Sequence, residues 1–156
     1  MRLAALLGLA LLSITAWGCG GKTTTVTGPD GEKATVSQQG DNVEVTVRGK
    51  DGEKATYSSG RSVALPEGFP KDVPLYPGAK VTMSGKQGEG MMVMLTSGDD
   101  VQKIAGFYEG KLKENGWEIE TSANIGEGSM FAAKKEKRHL SVGINPGQIT
   151  LVVNEQ

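Results

Sequence analysis

A single cysteine, Cys19, rules out an intrachain disulfide. A single histidine, His139, leaves little material for metal or acid–base chemistry, because metal sites want several ligands and hydrolytic triads want a histidine between nucleophile and carboxylate. His139 opens a strand after a basic run and reads as a surface side chain. Neither sign of charge dominates: 17 Lys and Arg stand against 18 Asp and Glu, which gives no electrostatic reason to expect nucleic acid as a partner. Aromatics make up only 5% of the chain, so the core is modest, and 23 glycines imply many turns. The carboxylates form no paired motif of the glycosidase kind. The stretch Gly85–Gly90 lacks the Gly-Lys-Ser/Thr and the following helix of a phosphate loop. With no catalytic residue, metal site or cofactor motif to name, the expectation is a protein that is not an enzyme and carries no cofactor.

The chain also lacks an apolar run of the about 20 residues that a transmembrane helix needs. Its longest run, Leu3–Ala16, follows Arg2 and has the length of a signal-peptide core, so residues 1–18 are expected to direct export and be removed. The only cysteine then stands where cleavage would leave it first. Ala16-Trp17-Gly18-Cys19 resembles the lipobox of bacterial lipoproteins, with Gly18 and Cys19 matching well, Ala16 in place of the usual Leu, and Trp17 unusually bulky. The resemblance implies a diacylglycerol thioether on Cys19 and commonly an acylated amine, and two or more chains give stable anchoring. Gly20 is not the Asp that retains such proteins in the inner membrane, so the outer membrane is favoured where two membranes exist. Ala16-x-Gly18 also suits ordinary secretory cleavage, which would release a soluble protein with an N-terminal thiol.

Residues 19–25 read as anchor and tether. Over residues 26–60, Asp30-Gly31-Glu32-Lys33-Ala34-Thr35 recurs as Asp51-Gly52-Glu53-Lys54-Ala55-Thr56. Asp-Gly is a hairpin-turn dipeptide, and Asn42–Val47 alternates between polar side chains and valine as a half-buried strand does. A small β-meander is expected, thin in apolar content and marginal by itself. It reads as a stalk, with extension of a partner's sheet as the alternative. Four of the six prolines fall in Leu65–Ala79, within the linker assigned to residues 61–78, and force extended backbone. Its Phe69, Val73, Leu75 and Tyr76 suit docking onto the chain's own domain better than display as a proline-rich ligand.

Residues 79–156 are expected to form an α+β domain, an antiparallel sheet with one helix on a face in the order ββαββββ. The spacing of Val101, Ile104, Ala105, Tyr108 and Leu112 predicts an amphipathic helix. Asp99 is the expected N-cap, Gly116 the left-handed C-terminal stop, and Trp117 the Schellman partner of Leu112. Gly106 and Gly110 lie four apart and suggest a flat packing surface or mere tolerance of glycine, with a self-association face as the alternative. Asn145-Pro146-Gly147-Gln148 fits a type II turn between two alternating strands.

Leu65–Ala79, reading LPEGFPKDVPLYPGA, and Phe107–Trp117, carrying FYxxxLxxxGW, resemble a little-characterised domain of bacterial envelope proteins. The resemblance implies no established activity. The outline of one helix on a sheet is also similar to helix-grip domains, including those of an accessory lipoprotein of outer-membrane β-barrel assembly, and that likeness is topological alone.

Met91–Leu95 is apolar on both strand faces, which points to cover for a second face of the sheet by the proline segment, the meander, a second copy or a partner. Met92 and Met94 are therefore candidate partner-surface residues. Tyr108, Trp117 and Phe131 are candidates to line a site for an apolar small molecule or lipid between helix and sheet. The methionines also raise Cu(I) ligation, but no Met/His-rich loop accompanies them and core filling is the stronger reading. The basic run Lys134–Arg138 reads as a solvated hairpin tip, with anionic lipid as its alternative partner. The expected function is that of a membrane-anchored envelope lipoprotein with a protein-interaction or structural role, its partner an envelope protein or a second copy. The alternative is a binder of an apolar ligand.

Overall fold

The computed structural model describes residues 21–29, 31–49 and 51–155. Cys19 and the expected signal peptide lie outside the described residues, as do Asp30 and Lys50 of the two repeat turns. The strands are β1 (Lys22–Thr27), β2 (Lys33–Gln39), β3 (Asn42–Arg48), β4 (Lys54–Ser59), β5 (Lys80–Gln87), β6 (Gly90–Thr96), β7 (Glu118–Ile125), β8 (Gly128–Lys135), β9 (Arg138–Asn145) and β10 (Gln148–Glu155), with helix α1 (Val101–Glu114) between β6 and β7.

These strands overturn the expected α+β class, in which a six-stranded ββαββββ unit follows a separate meander. All ten join one antiparallel sheet in the order β1-β2-β3-β4-β5-β6-β10-β9-β8-β7, with a single short helix among the described residues. The molecule is predominantly β. The reason is the pairing of β4 with β5, where Ala55, Tyr57 and Ser59 stand opposite Gln87, Gly85 and Met83. A thin meander leaves a row of unpaired backbone groups at its edge, and so does β5; the pairing satisfies both. It also moves a turn. The glycine-rich stretch Gly85–Gly90 is strand as far as Gln87, and only Gly88-Glu89 turns the chain. Gly85 survives in a strand because the Tyr57 ring lies over it, so close that a Cβ there would sit 2.6 Å from Tyr57 Cδ1.

The repeat builds the same turn twice. Gly28 N donates to Glu32 O at 2.8 Å, and Gly49 N to Glu53 O at 2.9 Å. Gly31 and Gly52 take φ of 84° and 82°, which only glycine adopts at little cost.

After β6, α1 crosses to the far edge of the sheet and packs against β7, β8 and β9. Its stripe of Ile104, Tyr108 and Leu112 is fully buried on Phe131, Leu140, Val142, Ile144 and Leu151 of the sheet, each side chain contributing on the order of 2 kcal/mol. The C-terminus is a Schellman motif: Trp117 N donates to Leu112 O at 2.9 Å and Gly116 N to Lys113 O at 3.0 Å, with Gly116 at φ 79°. The N-cap is Asp100, not Asp99; its carboxylate accepts from Lys103 N at 2.9 Å. Asp99 is drawn off by the Tyr76 hydroxyl at 2.6 Å and by Lys103 Nζ at 3.0 Å. Gly106 and Gly110 form no packing surface, since a Cβ on either would meet nothing within 4 Å.

The proline segment straps the helix to the sheet. Val73 and Tyr76 are buried in the core, Phe69 packs on its margin, and Leu75 stays exposed. At the helix C-terminus Asp72 is a hub. Its carboxylate accepts from Arg138 Nη1 and Nη2 at 2.7 and 2.8 Å and from Lys135 Nζ at 2.7 Å. Its backbone carbonyl accepts from Asn115 Nδ2 at 2.9 Å and Trp117 Nε1 at 3.0 Å. Arg138 lies 5.1 Å from the centroid of the Trp117 ring, between it and the carboxylate. The Arg138 guanidinium, aided by Lys135, holds the Asp72 carboxyl well below the usual carboxylate range, against the opposing effect of partial burial.

Because that shift is a depression, the stability it contributes is present above the unfolded carboxyl value and lost as pH falls through the folded one. Asp72→Asn is therefore expected to cost about 2 kcal/mol at pH 7, between an exposed and a buried pair. Denaturant titrations of the two proteins should converge as pH drops below about 4, and a gap unchanged down to pH 2 would refute the charge-based account. Gly106→Ala and Gly110→Ala should each stabilise the protein by up to about 1 kcal/mol, read as a higher thermal midpoint, because the space is open and alanine favours helix.

Candidate functional site

Tyr108, Trp117 and Phe131 do come together between helix and sheet, at 0%, 2% and 3% exposure. They are packed into the core cluster with Leu112, Leu140 and Val142. Phe107 stacks edge-on between Tyr76 and Tyr108 at centroid distances of 5.2 and 5.3 Å. The Tyr108 hydroxyl is buried and has no hydrogen-bond partner among the described residues, and burial pushes its pKa strongly up. The strap occupies the mouth of this interface. At the other end of the strap, the hydrogen bond to Asp99 raises the Tyr76 hydroxyl and lowers the Asp99 carboxyl.

Met92 and Met94 lie on the opposite side of the sheet. Val93 and Leu95, between and beside them, face α1 at 0% and 1% exposure. The interstrand register extends the methionine side into a continuous surface. Val36, Val45, Tyr57, Gly85, Met92 and Val152 stand opposite one another in a single row from β2 through β6 to β10. The next like-facing row reads Gln38, Val43, Ser59, Met83, Met94 and Thr150. On the other flank stand Ala34, Val47, Ala55 and Gln87. None of these residues is charged. The charges of β2, β3 and β4, Lys33, Glu44, Arg48 and Lys54, fall on the alternate positions and hence on the helix side, while Lys22 of β1 and Lys80 of β5 stand at the margins of the methionine side. No described segment covers the uncharged face; Val36, Val47 and Tyr57 are each 37% exposed and Val26 is 53% exposed.

The valines of the meander are thus the site residues that the sequence reading missed. Their alternation is plain in Val43-Glu44-Val45-Thr46-Val47. Nothing local shows that they continue the face of Met92 and Met94 instead of the face under the helix.

Clefts of about 670 and 420 Å³ lie on the helix side of β3–β5, between the strands and the segment around residues 62–67. Glu44, Glu53, Lys54 and Lys86 line the larger, a mixture of signs that selects no one charge. The basic turn is not a free cationic tip: Lys135 and Arg138 hold Asp72, and Lys134 lies 3.3 Å from Glu120. Among the described residues no three His, Cys, Asp or Glu side chains group as metal ligands, and no helix is long and apolar enough to cross a membrane.

No curated protein and no solved structure matches the chain. A family match covers residues 79–156, from the end of the strap through β5, β6, α1 and the four strands that follow. That is half of the chain, and the chain belongs to the START domain-like family.

Proposed function

We propose that this is a lipid-anchored envelope protein whose uncharged sheet face docks on a protein partner. The observation that carries the docking is the surface running from β2 to β10 through Met92 and Met94, uncharged except for Lys80 at its margin, with nothing described over it. Contiguous apolar patches of this kind on a soluble fold mark interaction sites. The anchor rests on Ala16-Trp17-Gly18-Cys19 after a signal-like apolar run. The role is binding, not catalysis, since no nucleophile, base and orienting group stand together.

A second reading places an apolar ligand between helix and sheet. It is favoured by membership of the START domain-like family and by the orphaned Tyr108 hydroxyl. It requires the strap to lift and the packed core to open, so it ranks below docking.

Intact and native mass spectra of the membrane-fraction protein, beside Cys19→Ala, test both anchor and ligand. The expected mass is that of a chain beginning at Cys19 plus acyl groups, lost in the variant together with membrane association. A bare chain in the soluble fraction would refute the anchor, and an additional non-covalent apolar mass would put the ligand reading first. Docking is tested by methionine oxidation with dilute peroxide. Met92 and Met94 should oxidise at least threefold more slowly in native membranes than in the diluted, purified protein; equal rates would refute a covered face.

A further inference from the structure

The pattern of charge across the sheet identifies a partner. In β2, β3 and β4 every Lys, Glu and Arg within the ladder lies on the helix side, and the opposite side is valine, alanine, serine, glutamine and one tyrosine. In β6 and β10 the helix side is the core and the opposite side carries Met92, Met94, Thr150 and Val152. Two unlike strand patterns therefore converge on the same result, one face uncharged through its middle across six adjacent strands, with Lys80 opposite Thr96 at one margin and Lys22 of β1 opposite Gln38 at another.

A two-fold interface sets one patch against itself, so that a charge near the axis meets its own copy, whereas a charge at the margin need not. Absence of charge, with hydroxyls and amides that can both donate and accept, is what such self-pairing requires. The size also fits. Six strands at ~4.8 Å spacing, each with three like-facing residues at ~7 Å intervals, give a patch on the order of 600 Å² in plan. Side-chain relief brings that towards the ~800 Å² per partner of a stable interface. A lipid surface fits less well, because Gln38, Ser59 and Thr150 and the open backbone edge of β1 would enter hydrocarbon with their polar groups unsatisfied.

We propose that the uncharged face packs on the same face of a second copy of this chain, two sheets stacking into a sandwich with about 10 Å between them. This rests on the docking reading above and names its partner. Anchoring both copies in one membrane plane raises their effective concentration and aids the pairing.

The test uses full-length protein in its own membranes with a benzophenone amino acid at Val36, an exposed position on the β2 strand of the patch. An adduct of twice the chain mass is expected. Introducing Val36→Lys and Val47→Lys into a differently tagged second copy should lower adduct formation between the two species at least tenfold. A copy carrying Val36→Glu and Val47→Glu should restore pairing with the lysine variant, which separates charge repulsion from misfolding. An adduct only with a protein of another mass would overturn the second-copy proposal and leave the docking face standing. No adduct at all would overturn both, and adducts indifferent to the lysines would overturn the self-pairing.

Discussion

The two ends of Asp72 do different work, and the rest of the architecture depends on both. The carboxylate neutralises Arg138 and Lys135 of the β8–β9 hairpin, while the carbonyl satisfies the donors of Asn115 and Trp117 at the end of α1. One residue of an otherwise irregular segment thus joins helix, hairpin and strap. Tyr76 and Asp99 make the matching closure at the other end of α1. The strap is therefore fastened at both helix ends, and it delivers the chain at Lys80 to begin β5. The position of β5 decides everything on its other side, because β5 is the strand on which the meander builds.

From this follows a sheet that is two-faced in an unequal way. One helix is about 10 Å wide with its side chains and cannot cover ten strands at ~4.8 Å each. It takes β7 to β9, and the strap extends the cover. The charged sides of β2 to β4 share the helix side where no helix reaches, so solvent receives them. The valines of those strands are left on the far side with the methionines of β6. A strand pattern that in isolation means burial against a core here leaves its valines on a face that no described segment covers.

The family to which residues 79–156 belong describes the helix-bearing half of this sheet. The other half, β1 to β4 with its repeated turn, is what enlarges the methionine face into a patch broad enough to hold a partner. The interior between helix and sheet is filled by side chains from strap, helix and strands alike.

Local chemistry determined the elements. The apolar stripe from Val101 to Leu112, the glycine at 116 followed by Trp117, and the Pro-Gly turn before Gln148 each act over a few residues, so the sequence alone located the helix, its stop and the last hairpin. Alternation in Val43–Val47 likewise marked a strand. Period two says that one side of a strand is apolar, not which side of which sheet it joins. That choice belongs to the register between Tyr57 and Gly85, two residues 28 positions apart, and it merged an expected stalk and an expected domain into one sheet. The same distance hid the roles of Asp72 and Asp99, whose partners lie on other elements, and so the cap was misplaced by one residue and a basic turn read as free. Sequence by itself determined the elements; the tertiary structure alone decided the shared sheet and which side of it the valines and methionines share, because pairing energies act between segments that no local pattern connects.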